Sequence, residues 1–126
     1  MKKGDVVSID DTLLRRVYRE DKRYRDPKTG RPSSRAFSPR PKDEGKLSVD
    51  IESMSSFENA IIDPIKFILY RISVTLVKEL GLDCIYDPLV NGDFENLAHA
   101  LVVGFDEEDE SVPAILSRKA EQINYP

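Results

Sequence analysis

The sequence predicts an α+β fold, a single compact domain over residues 1–126 with a mixed or antiparallel sheet and two to four short helices. Three observations predict it. Short segments that alternate or run apolar outnumber the amphipathic helical ones, and the two kinds are interleaved along the chain. A length of 126 residues supplies one core and not two. Apolar residues at 40% and charged residues at 33% describe a folded soluble chain rather than a disordered one.

The elements follow in order. Thr12 to Tyr18 is rich in aliphatic and aromatic residues and reads as a strand, with Leu13, Arg15 and Val17 on one side and Leu14, Arg16 and Tyr18 on the other, so each face carries an arginine. Residues 19–46 read as a basic loop, exposed over Arg19 to Arg35. Within it, Asp26-Pro27-Lys28-Thr29-Gly30 is a turn signal, because Pro27 fixes its φ and Gly30 accepts a positive one. Ala36-Phe37 begins a short extended piece that Pro39 and Pro41 close. Lys46 to Glu52 alternates Leu47, Val49 and Ile51 against Ser48, Asp50 and Glu52, the pattern of a half-buried strand.

Ser55 or Ser56 caps a short helix with Glu58 in its first turn, and Asp63-Pro64 ends it or starts another. Residues 65–80 fit two periodicities. A strand from Phe67 to Val74, then a short helix capped by Thr75 and closed by Gly81, suits the β-branched Ile72-Ser73-Val74-Thr75 run; one continuous helix is the alternative. Leu82 to Asp87 and His99 to Phe105 read as strands, the second buried. Asp87 to Asp93 reads above all as a turn, and Asp106 to Glu110 as a solvated one. Ser111 starts a C-terminal helix over about residues 111–123, with Val112, Ile115, Leu116, Ala120 and Ile123 on one stripe.

The net charge of −4 hides a separation along the chain. Residues 15–46 carry 12 basic and 5 acidic side chains, whereas residues 47–126 carry 5 and 15. Position therefore matters more than the total. The lone Cys84 sits in apolar sequence and reads as a core residue in a reducing compartment, and Asp5, Asp10 and Asp11 interrupt any leader-like apolar run. The longest apolar stretch, Leu97 to Phe105, is too short to span a bilayer. Cytoplasmic location without a membrane partner is the expectation.

Chemistry concentrates in three places. Gly30 to Phe37 offers Arg31 and Arg35, the hydroxyls of Ser33 and Ser34 and a Gly/Pro-shaped backbone, the parts of an anion cradle, with Arg15 and Arg16 on the preceding strand adding charge. It is neither a P-loop nor a dinucleotide fingerprint. His99, the only histidine, shares a strand face with apolar residues and reads first as a buried imidazole bonded to backbone or to a carboxylate such as Asp87; the catalytic alternative pairs it with Ser34, Ser33 or Asp87 as acid or base. The Asp87 to Asp93 loop offers two carboxylates and an amide to a cation or ribose. One His and one Cys leave no zinc site to predict, and no cofactor is named by the sequence.

The blocks Gly30 to Phe37, Lys46 to Glu52, and Asp87-Pro88 leading into Ala98 to Gly104 together resemble a set of small uncharacterised bacterial proteins sharing a Ser-Ser-x-Ala-Phe loop, an LSV(D) strand and an Asp-Pro to Ala-His-Ala segment. That resemblance spans about residues 12–105 and implies no activity. A fainter one is to ADP-ribosyltransferase-like and RES-type NAD-consuming domains. It implies an arginine on an early strand, here Arg15 or Arg16, and a Gly-Arg to Ser stretch, here Gly30 to Ser34, with Pro32-Ser33 where the RES-type loop carries Trp-Asn.

Three functions follow as expectations. The first is an interaction or ligand-binding module, one component of a bacterial operon, whose basic loop engages an anionic protein partner or a nucleotide-like, phosphate-bearing ligand. The second is an enzyme acting on a nucleotide or NAD-like substrate. The third is an RNA- or DNA-binding protein that uses Tyr18, Tyr24 and Phe37 for stacking. A homodimer, with the two charge halves neutralising each other, is also open.

Overall fold

Alternation along β1 (Thr12–Tyr18) sends Leu13 and Val17 to one side of a sheet and Leu14 to the other, and all three are buried. A strand covered on both sides belongs in the middle of its sheet. The remaining elements are β2 (Leu47–Ile51), α1 (Phe57–Ile61), β3 (Phe67–Ser73), α2 (Val74–Glu79), β4 (Asp83–Tyr86), β5 (Leu89–Asn91), β6 (Phe94–Asn96), β7 (His99–Val103), α3 (Ser111–Lys119) and β8 (Glu121–Ile123). The computed structural model describes residues 1–92 and 94–124. Six strands form one sheet in the order β4-β7-β2-β1-β3-β8, with every adjacent pair antiparallel, and β5 and β6 form a separate hairpin. The protein is α+β, with three α-helices and three short 3-10 turns among the described residues.

The main core lies on the face that carries Leu13, Val17, Leu47, Val49, Tyr70 and Val102. Val74 and Val77 of α2, Leu116 of α3 and Phe37 of the basic segment cover it. On the opposite face α1 packs Ala60 and Ile61 against Leu14 and Leu69. The outer edge of β4 is closed by the N-terminal segment, where Val7 N–H donates to Cys84 and Tyr86 N–H donates to Asp5 (2.9 and 2.8 Å). This shields the backbone groups through which an open edge would pair with other chains. No helix among the described residues is long and apolar enough to cross a membrane.

The ambiguous stretch 65–80 resolves as strand then helix, because Phe67 to Ser73 gain antiparallel partners on both sides, β1 and β8. The helix cap is Ser73 rather than Thr75: the Ser73 hydroxyl accepts Leu76 N–H at 3.0 Å, while Thr75 donates to Ile9. In α1 the cap is Ser56, which accepts Asn59 N–H at 3.2 Å.

Three expectations are corrected. The helix over 111–123 stops at Lys119; Ala120 turns extended (ψ 140°) and Glu121–Ile123 pairs with β3. The free edge of β3 satisfies the backbone of these three residues, and Ile123 packs beside Leu69, which outweighs continuing an exposed helix. Ala36-Phe37 is not extended but lies in a 3-10 turn (Ser34–Phe37), where Ala36 N–H bonds Ser33 O at 3.0 Å and Phe37 drops into the core. The basic loop is thus anchored in the core at Ala36 and Phe37. The Asp87 to Asp93 turn is in part the β5–β6 hairpin, and Asp93 itself lies outside the described residues.

Candidate functional site

Arginines hold the basic segment down. Arg15 donates through Nε to Ala36 O (3.0 Å) and through Nη1 to Ser48 O (2.9 Å), tying the 3-10 turn to β2. Arg25 Nε bonds the hydroxyl of fully buried Tyr70 (3.0 Å), which in turn donates to Gly30 O (2.6 Å). Gly30, at φ 73°, closes the turn foreseen around Pro27. Arg31 Nη2 reaches Ser117 O and Arg118 O at the end of α3 (2.7 and 2.9 Å), and the Ser33 hydroxyl donates to Arg23 O.

Carbonyl acceptors satisfy guanidinium donors without cancelling their charge. Arg15 has no carboxylate within ion-pair distance among the described residues; burial first, then the nearby Arg16 and Arg40, lower its pKa to about 10. Two other cations of the segment are neutralised locally, Arg23 by Asp21 (2.8 Å) and Arg40 by Asp43 (3.0 Å), and those contacts hold both carboxyls below their ordinary range. The side chains of Arg35 and Lys42, both exposed, make no hydrogen bond or ion pair among the described residues, although Asp21 acts on Arg35 and Asp43 on Lys42 through space.

Both side chains line a groove of about 920 Å³. Ser34, Arg35, Ser38, Arg40 and Lys42 line one wall. The turn before α3 also lines it, through Asp106, Glu107, Asp109 and Glu110 together with Phe105 and Pro113. The acidic run that reads in sequence as a solvated turn therefore shares a groove with the basic segment, and no ion pair joins the two among the described residues.

The sequence candidates divide between the two faces of the sheet. Ser34, Arg35, Arg31, Ser33 and Arg15 lie on the main-core face, with Ser34 and Arg35 at the groove and the other three bound to backbone carbonyls. Arg16, His99 and Asp87 belong to the other face. There His99, 7% exposed, accepts no hydroxyl partner; its Nδ1 bonds Asp87 O at 2.8 Å and lies 3.2 Å from Asp87 Oδ2. Lys3 approaches the same carboxylate at 3.8 Å. His99 and Ser34, paired in the catalytic alternative, are not brought together. What this face offers instead is an imidazole whose orientation is set at Nδ1, leaving Nε2 without a hydrogen bond among the described residues.

Two residues of that cluster are absent from the sequence candidates. Asp50, opposite His99 in the β2–β7 register, is 2% exposed, meets Arg16 at 3.3 Å and accepts Asn96 Nδ2 at 2.8 Å. Arg16 also donates to Ala60 O at 2.8 Å. Alternation placed Asp50 on the polar face of its strand, but a polar face packed under α1 and the hairpin turn is not a solvated one. Phe37, named for base stacking, is fully buried and offers no face to a base. Compared with protein-family models, with curated proteins and with solved structures, the chain matches none.

Proposed function

We propose that this protein is a small cytosolic ligand-binding or interaction module that takes an anionic group, a phosphate on a nucleotide-like ligand or a carboxylate or phosphate on a partner, at the basic wall of the groove. The observation that carries this reading is the set of cations there with no carboxylate within ion-pair distance among the described residues: Arg35 and Lys42 on the wall and Arg15 behind the Ser34–Phe37 turn. Each keeps its charge, so an incoming oxyanion gains attraction from all three with no internal ion pair to break. The test is a calorimetric titration with a nucleoside diphosphate, inorganic phosphate and a phosphopeptide. A fall of at least about tenfold in affinity for R35A/K42A supports the reading; failure of the wild-type protein to bind any of the three sinks it.

A second reading, an enzyme acting on a nucleotide-like or NAD-like substrate, is supported by the His99–Asp87 contact alone, since a carboxylate that orients Nδ1 leaves Nε2 for proton transfer. His99 is on the face away from the groove, so a ligand held at Arg35 is beyond its reach. H99A separates the two: it abolishes turnover under the second reading and leaves groove binding intact under the first.

A further inference from the structure

The groove has two signs, and a purely anionic ligand uses only one of them. Four carboxylates line its far wall, and two of these are already engaged: Asp106 accepts Glu108 N–H (3.0 Å) and Asp109 accepts Ser111 N–H (3.0 Å). The side chains of Glu107 and Glu110 make no hydrogen bond or ion pair among the described residues, and both residues are exposed. Like them, the side chains of Arg35 and Lys42 make no hydrogen bond or ion pair among the described residues. The two charged rows thus line one groove, with no ion pair joining them among the described residues.

This arrangement disfavours single-sign occupants. Coulomb repulsion falls only as the inverse of distance, so within one groove repulsion from the carboxylates offsets part of what an anion gains at the cations. A polycation meets the converse. An occupant that carries both signs in the right order is attracted by both walls. The surfaces between the charged rows are Tyr24, Phe105 and the prolines 39, 41 and 113, the flat apolar and ring surfaces against which an extended backbone lies. The volume is at the upper end of small-molecule sites, roughly 300–1,000 Å³.

We propose, building on the anion-binding reading, that the occupant is an extended peptide segment of mixed charge, with a phosphorylated or acidic residue against Arg35 and Lys42 and a lysine or arginine a few residues away against Glu107 and Glu110. Order and spacing of charge set its specificity, while the ring surfaces accept varied intervening residues.

The test uses the full chain and fluorescence polarisation on an array of acetylated heptapeptides built from alanine and proline. Phosphoserine or glutamate occupies one end, and lysine is placed at each later position in turn, in both chain directions. Control peptides keep one charge only, and O-phosphoethanolamine serves as the small dipolar probe. The best mixed peptide binds at least about tenfold more tightly than either control, and E107Q/E110Q removes that advantage without weakening the anionic control. If the anionic control binds as well as any mixed peptide, the mixed-charge inference is overturned and the anion-binding reading stands. Equal affinity for O-phosphoethanolamine replaces the peptide with a small dipolar molecule. If neither the peptides nor inorganic phosphate bind, the anion-binding reading falls, and this inference with it.

Discussion

Arg31 closes the last turn of α3: its Nη2 lies 2.7 Å from Ser117 O and 2.9 Å from Arg118 O, so a residue from the basic segment caps a helix more than eighty positions along the chain. The final carbonyls of a helix have no intrahelical donor, and a cation there also suits the helix dipole. R31A therefore destabilises the fold by about 1–2 kcal/mol, and R31K recovers only part because an ammonium lacks the planar fork. Urea unfolding measures it. An unchanged midpoint in R31A removes the capping role.

The Arg16–Asp50 pair predicts an asymmetry. The Asp50 side chain is 3% exposed and that of Arg16 29%, so deleting the arginine strands a buried carboxylate, whereas deleting the carboxylate leaves a guanidinium that swings into water. R16A costs about 3 kcal/mol and D50A about half of that, and the double variant costs less than the two together. Chemical denaturation of the three variants decides the matter; a D50A loss equal to or above that of R16A contradicts it.

Much of the sheet was legible because alternation is a local signal: Leu13 and Val17, Leu47 and Val49, and Ala100 and Val102 each fall on the face their spacing predicts. The ends of elements were less so. Ile123 fits the helical stripe of α3 and equally a strand, and only the open edge of β3, a partner distant in sequence, decides between them. The basic segment was legible as a charged region but not as a structure. Its bonds run from arginines to backbone carbonyls, and a carbonyl acceptor places no demand on the identity of the residue that supplies it. For the same reason Arg15 and Arg31 looked like ligand contacts. The split of Arg15 and Arg16 between faces and the contact of His99 with Asp87 were readable from strand spacing and residue type. The acidic wall was not, since a run of carboxylates carries no address; what pointed to it was the separation of charge along the chain.

Cys84 predicts a silent thiol. It is fully buried in the main core, and burial, with Asp83 and Asp11 as smaller contributors, pushes its pKa up to about 12. The thiolate is the reactive form, so at pH 8 the native protein reacts with a disulfide reagent only through opening of the fold. One thiol per chain then reacts promptly in strong urea, and the native rate follows global stability across the R31A and R16A variants. Fast native labelling contradicts this.

Glu52 predicts the acid limb of the stability profile. Arg71 grips it twice, Nε to Oε1 and Nη2 to Oε2, each 2.6 Å, while Thr12 donates to Oε1 at 2.6 Å and Arg71 Nη1 reaches Glu121 at 2.7 Å. The pair thereby links the residue after β2 to β1, β3 and β8. Arg71 first, then Thr12, holds the Glu52 carboxyl below its ordinary value of 4.5. A depressed carboxyl stabilises the fold fully above its unfolded pKa, and that contribution disappears as pH falls through the folded one. About a third of each side chain is exposed, 31% for Glu52 and 33% for Arg71, so water screens the pair and its worth is about 1 kcal/mol rather than that of a buried pair. E52Q is accordingly less stable than the wild type by about that amount at pH 7, and its urea midpoint falls less steeply between pH 5 and pH 3, where the two profiles converge. Parallel profiles over that interval would assign the acid limb to other carboxyls.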